Sequence, residues 1–169
     1  MRVLGIDPGL ANTGWGVIVS HQGRAHCMAY GCIKTLPSDE LTVRLLAIYQ
    51  DIKQVIEKYQ PDHVGIEQVF FGNNSSSALA TGQARGAVLV ACAEASLALG
   101  EYTPLQIKQS VVGSGSADKK QVQFMVQRLL RLDHIPKPDH SADALAAALC
   151  YFNEHHMQQL LQSYKGDLT

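Results

Sequence analysis

The sequence predicts an α/β fold: a mixed five-stranded sheet flanked by helices. Residues 1–34 hold three strand-like runs joined by short turns. An amphipathic helical segment separates them from a fourth apolar run, and one further short strand lies between later helical segments. Short turns imply antiparallel neighbours, whereas a strand reached through a helical crossover runs parallel to its neighbour.

Arg2–Asp7 is an apolar strand (Val3, Leu4, Ile6) stopped by Pro8-Gly9. Residues 14–20 form the second strand, His21-Gln22-Gly23 a turn, and Arg24–Lys34 the third strand, with Gly31 the expected bulge or bend. Leu41, Leu45, Ile48, Ile52, Val55, Ile56 and Tyr59 follow the 3.6-residue period of a helix, with Ser38 its expected N-cap and Pro61 its stop. Residues 64–67 then pair in parallel with the first strand. Residues 70–77 read as a polar loop with Phe70 and Phe71 at its base. Residues 78–99 are expected as one buried helix whose Gly82 and Gly86 admit another backbone closely. A short strand near Tyr102-Thr103 ends at Pro104, Gly113-Ser114-Gly115-Ser116 is a loop, and a helix covers about 117–132. Pro136-Lys137-Pro138 leads to a last helix from about Ser141, and the tail after Gln162 is expected to fray.

A chain of 169 residues suits one domain, and 46% hydrophobic with 17% charged residues is an ordinary globular composition. No apolar run approaches the roughly 18 residues of a membrane span, and the start lacks a signal-peptide pattern, so a cytoplasmic protein is expected. Cys27, Cys32, Cys92 and Cys150 show no metal or redox spacing and read as buried thiols. The net charge is −1, yet from Tyr102 to Pro138 six bases (Lys108, Lys119, Lys120, Arg128, Arg131, Lys137) face two acids, Asp118 and Asp133, a local charge of +4. Such a face suits phosphate, although a solvated basic helix has the same composition.

Two strands end alike: Gly5-Ile6-Asp7 and Gly65-Ile66-Glu67. As parallel neighbours they would bring two carboxylates to the strands' carboxyl ends, where ligands of open α/β sheets bind. The glycines, on the same faces as the acids, leave the adjoining ground open. Like-charged carboxylates this close need a cation between them or a raised pKa. His140 and Asp143, three apart, share a face of the last helix. Asp139 as an N-cap and Asp143 as a first-turn acid is the alternative reading of that stretch. With Asp7 and Glu67 added, the set suits Mg²⁺ or Mn²⁺, two of which, about 4 Å apart, stabilise both oxygens of phosphodiester hydrolysis.

Leu4-Gly5-Ile6-Asp7-Pro8-Gly9 with Thr13-Gly14-Trp15-Gly16, Ile66-Glu67-Gln68-Val69-Phe70, Gly82-Gln83-Ala84-Arg85-Gly86, Lys108-Gln109-Ser110-Val111-Val112-Gly113 and Ala142-Asp143-Ala144-Leu145-Ala146 together resemble the bacterial RuvC family. These are Holliday-junction resolvases of the ribonuclease H-like fold, and the resemblance covers about residues 1–155. It implies a structure-specific endonuclease: a homodimer that binds a four-way DNA junction and nicks it symmetrically with Mg²⁺, two ions per site, in partnership with RuvA and RuvB. It places Asp7, Glu67, His140 and Asp143 as catalytic and metal-binding residues. The fourth position is usually Asp and here is His140, so Mn²⁺ is expected to serve at least as well as Mg²⁺, imidazole being the better partner for Mn²⁺. On DNA the resemblance places Phe70, Arg85, Lys108, Lys119 and Lys120, with Lys119 nearest the cut and Phe70 against unpaired bases. A small satellite core is the other reading of Phe70 and Phe71. The actin-like sugar kinases also open on a strand ending in Asp-x-Gly, but they need two such domains. A non-catalytic junction binder and a different ribonuclease H-like nuclease complete the alternatives.

Overall fold

The computed structural model describes residues 1–68 and 75–166, the side chains of 75–77 and 164–166 excepted. Its elements are β1 Arg2–Asp7, β2 Asn12–His21, β3 Arg24–Lys34, α1 Leu41–Tyr59, β4 His63–Glu67, α2 Ser75–Glu94, β5 Ala98–Tyr102, α3 Pro104–Val112, α4 Lys119–Leu129 and α5 Asp139–Gly166. The sheet order is β3-β2-β1-β4-β5. β1 pairs antiparallel with β2 and parallel with β4, Gly5 lying opposite Gly65 and Ile6 opposite Ile66. β5 adds in parallel to β4. The mixed five-stranded sheet expected from the sequence is the one observed.

Alternation along the strands divides the core. Leu4, Ile6, Val17, Val64 and Ile66 face α1 and α2, whose Ile48, Ile52, Val88 and Ala91 complete that layer. Val3 and Ile18 face the other way, into a layer built with α3, α4 and α5. Each fully buried Leu or Ile contributes about 1.5–3 kcal/mol relative to exposure. On the α5 side the contact is backbone-close. Ala142, Ala144, Ala146, Ala147 and Ala148 are fully buried, and Leu145 sits among them. A Cβ on Gly5 would fall on the Ala144 carbonyl oxygen, and one on Gly65 would lie 2.6 Å from the Ala147 oxygen. The ground beside the acids, open in the reading from sequence, is instead occupied: the glycines admit the α5 backbone.

Several local expectations are corrected. The bulge in β3 is at Met28, since Val17 pairs with Ala29 and Ile18 with Cys27. Gly31 instead makes room for the Trp15 indole, which a Cβ would meet at 2.7 Å. Helix α1 starts after Glu40, which gives no side-chain cap, so Ser38 is not the N-cap. α2 stops at Glu94 rather than Leu99, with Ser96 left-handed and the Leu97 N–H donating to the Cys92 carbonyl. Residues 98–102 then join the sheet, because parallel pairing with β4 satisfies backbone groups that a longer α2 would have taken. α2 also leaves Leu79 and Val90 exposed, and nothing lies within 4 Å of a Cβ on Gly82 or Gly86.

Residues 104–112, for which the sequence suggested no element, form α3. The Thr103 hydroxyl accepts from the Gln106 N–H at 3.1 Å and the Gln106 side chain accepts from the Thr103 N–H at 2.8 Å, with Pro104 in the first turn. A second such box, Asp118 with Gln121, opens α4. α4 ends at Leu129, three residues short of Leu132, and Arg131 is left-handed. α5 begins at Asp139 and continues past Gln162 to Gly166. Of the four cysteines, all free, Cys92 and Cys150 are buried while Cys27 and Cys32 are half-buried.

Gly5→Ala must push α5 off the sheet and is expected to destabilise the protein by about 1–3 kcal/mol in a urea titration. Gly82→Ala, at a helical position where a Cβ meets nothing, is expected to stabilise it by about 0.5–1 kcal/mol.

Candidate active site

Asp7 is the last residue of β1 and Glu67 the last of β4, so both emerge at the carboxyl edge of the sheet. The turn after Asp7 is held by Thr13, fully buried, whose hydroxyl donates to the Gly9 carbonyl at 2.7 Å. The start of α5 is seated against the same edge. Ser141, also fully buried, donates from Oγ to the Gly31 carbonyl of β3 at 2.9 Å. Gly14 of β2 lies under the His140 carbonyl, where a Cβ has no room. These two contacts carry His140 and Asp143 to Asp7.

His140 Nδ1 lies 2.7 Å from Asp7 Oδ2. Asp143 Oδ2 accepts from the Lys119 ammonium at 3.0 Å, and Asp139 Oδ2 stands 3.5 Å from the same nitrogen. Ligand atoms of Asp7, His140 and Asp143 all lie within 4.8 Å of one another, the one such group of metal-ligating side chains among the described residues. Glu67 is outside that triad but beside it. It lines a cleft of ≈ 180 Å³ with Lys108, Lys119, Val122 and Asp143.

The electrostatics follow from this crowding. Burial pushes the Asp7 carboxyl above its ordinary value, the hydrogen bond from His140 opposes that, and Asp143 adds to it. Burial pushes Glu67 up to about 7, reinforced by Asp7 and Asp143 and opposed by Lys119 and Lys108. Three neighbouring acids, one answered by an imidazole and one by an ammonium, form a donor set that fits a divalent cation. Asp7, His140 and Asp143 would hold it, with Glu67 completing the oxygen-rich side.

The residues singled out in the sequence are distributed as follows. Asp7, His140, Asp143, Lys119, Glu67 and Lys108 converge. Lys120 is exposed and is not among the residues lining the cleft. Arg85 is held by Glu101 of β5 at 2.7 Å. Phe70 and Phe71 lie outside the described residues. Asp139, read in the sequence as a cap, is the residue whose place at the site was missed. Its signal was its spacing, four residues before Asp143 and so on the same helix face.

A five-stranded mixed sheet with half-buried acids at the ends of two adjacent parallel strands and a metal-fitting helix start beside them defines a ribonuclease H-like nuclease. The chain belongs to the RuvC family: the family model described as "Crossover junction endodeoxyribonuclease RuvC" matches residues 3–151. A protein of that description from Syntrophomonas wolfei is 45% identical over 163 residues, covering 96% of this chain and 95% of its own length. The Thermus thermophilus RuvC structure superimposes with a TM-score of 0.87 at 37% identity, covering 94% of this chain and 97% of that one. T. thermophilus RuvC in complex with Holliday junction substrate gives 0.88 at 37% identity, covering 94% and 96%. The family membership removes the sugar-kinase alternative.

Because Glu67 binds its proton more tightly folded (about 7) than unfolded (4.5), its contribution to stability is lost as pH rises through that interval. In metal-free protein, Glu67→Gln is expected to be the more stable at pH 8, by on the order of 1–2 kcal/mol, with the gain fading towards pH 5 in urea titrations. Mn²⁺ should raise the melting temperature more at pH 8 than at pH 5.5, since the ion competes with those protons.

Proposed function

We propose that this protein resolves four-way DNA junctions by hydrolysing one phosphodiester bond in each of two symmetry-related strands, as a cytoplasmic homodimer using Mg²⁺ or Mn²⁺. The convergence of Asp7, His140 and Asp143 in a chain of the RuvC family is the observation that carries this reading. The T. thermophilus relative, described in complex with Holliday junction substrate, supports the choice of DNA. A two-fold junction suits an isologous dimer with one site per protomer. RuvA and RuvB are the proposed partners, and the chain is proposed to act as one nuclease domain.

In this reading the protein's own groups divide the work. Lys108 and Lys119, which line the cleft together with Glu67, bind the phosphate flanking the cut. Lys119 stands in the first turn of α4, where unpaired backbone N–H groups also favour an anion. Asp7, seated on the sheet, and His140 and Asp143, seated on α5, would hold the cation between two rigid elements. When bound, a divalent ion supplies an activated water and neutralises charge on the phosphate. Water adds across the bond: oxygen to phosphorus, the proton to the departing sugar oxygen. Phe70 is proposed to stack on an unpaired base, and Arg85 and Lys120 to meet DNA beyond the cleft.

Paired nicks in a synthetic junction are expected from the wild type and not from Asp7→Asn, while gel-shift binding persists in both. Failure of the wild type to nick would sink the proposal. Activity with Mn²⁺ is expected to equal or exceed that with Mg²⁺ across a titration, because His140 supplies nitrogen. Lys119→Ala should reduce the slope of log binding constant against log salt by about one.

A further inference from the structure

Lys119 has two carboxylate partners on one face of α5, four residues apart. Its nitrogen is 3.0 Å from Asp143 Oδ2 and 3.5 Å from Asp139 Oδ2. Asp143 belongs to the triad whose atoms are close enough to share a cation; Asp139 does not. The two acids also differ in exposure: the Asp143 side chain is 23% exposed and that of Asp139 61%. In the metal-free protein the ammonium therefore neutralises a half-buried carboxylate that a cation would claim. A divalent ion and Lys119 compete for the same oxygen-rich surface.

We propose that Asp139 is a positioning residue that keeps Lys119 beside the site when Asp143 is given over to the cation. This rests on reading Asp7, His140 and Asp143 as the metal site. Lys119 serves as a resident counter-charge before loading. Asp139 then offers the displaced ammonium a carboxylate already within reach, on the same rigid helix, so the lysine is retained where a phosphate would meet it. The long lysine stem permits this shift without moving α4. Without Asp139, loading the cation leaves Lys119 with neither of its two ion-pair partners, and the cost falls on metal affinity. Its first-turn charge also suits the α5 dipole, but that contribution is present with or without Lys119. The dependence on Lys119 is what separates the two roles.

The test is Mn²⁺ binding by calorimetry, without DNA, for the wild type, Lys119→Met, Asp139→Asn and the double variant. An ionic strength of about 0.15 M screens charges beyond about 8 Å. Lys119→Met should tighten Mn²⁺ binding roughly three- to tenfold, and Asp139→Asn should weaken it roughly two- to fivefold. In the Lys119→Met background, Asp139→Asn should change affinity by less than about 1.5-fold, because the residue through which it acts is gone. An equal Asp139→Asn effect in both backgrounds would make it a direct charge on the ion and overturn the proposal. So would unchanged or tighter binding in Asp139→Asn. A wild type that binds no Mn²⁺ would overturn the metal reading itself, a result distinct from binding without coupling. Unchanged melting of the four metal-free proteins, within the small effect of a surface cap, shows that folding is not what is being measured.

Discussion

The site depends on how closely α5 lies against the sheet. Gly5 and Gly65 have no side chains on the face they turn to α5, and α5 answers with alanines at 142, 144, 146, 147 and 148. Backbone meets backbone, so the helix is held in position by steric contact rather than by adaptable side chains. Its first turn is then pinned twice, by Ser141 on β3 and by the close fit over Gly14 on β2. Asp7 is equally constrained as the last rung of a buried strand. Groups on two rigid elements thus meet at 2.7 Å, which is the kind of support a preorganised site requires.

The same closeness creates the electrostatic tension at the site. Asp7 and Glu67 are raised by burial, and the neighbouring carboxylate of Asp143 adds to both, with Asp7 adding to Glu67 as well. The protein answers with a hydrogen bond from His140 and with the Lys119 ammonium, neither of which fills the oxygen-rich space as a divalent ion can. The clustered acids are an unfavourable arrangement for folding alone, and their cost is consistent with a site that serves chemistry. Lys119 links the two purposes: it is a counter-charge to the acids and, in the proposed function, a base that meets the phosphate.

Residues not legible in the sequence share a physical cause. Residues 104–112 carry few buried apolar positions, Ile107 and Val111, so periodicity was silent, although Thr103-Pro104 with Gln106 was a capping signal in plain view. The end of α2 was misplaced because Ala95 to Leu99 is apolar enough for a helix; pairing with β4 decided against it. The bulge fell at Met28 rather than Gly31 because Gly31 was needed to clear Trp15 from the neighbouring strand. Asp139 looked like a cap because nothing in one dimension places Lys119, twenty residues earlier, within reach of it.

What the sequence by itself determined was the list of strands, the two acids ending two of them, and the helix that begins with His140 and Asp143. Strand ends and helix starts obey local rules of turn chemistry and periodicity, and local rules are written in neighbouring residues. The resemblance in motif order also carried the family, because five short patterns in one order are improbable by chance. Only the tertiary structure decided that Glu67 stands beside the triad rather than in it, that Arg85 is taken up by Glu101, and that Lys119 bridges Asp139 and Asp143. Those are distances across elements, set by how deeply a glycine-lined sheet lets an alanine-lined helix approach.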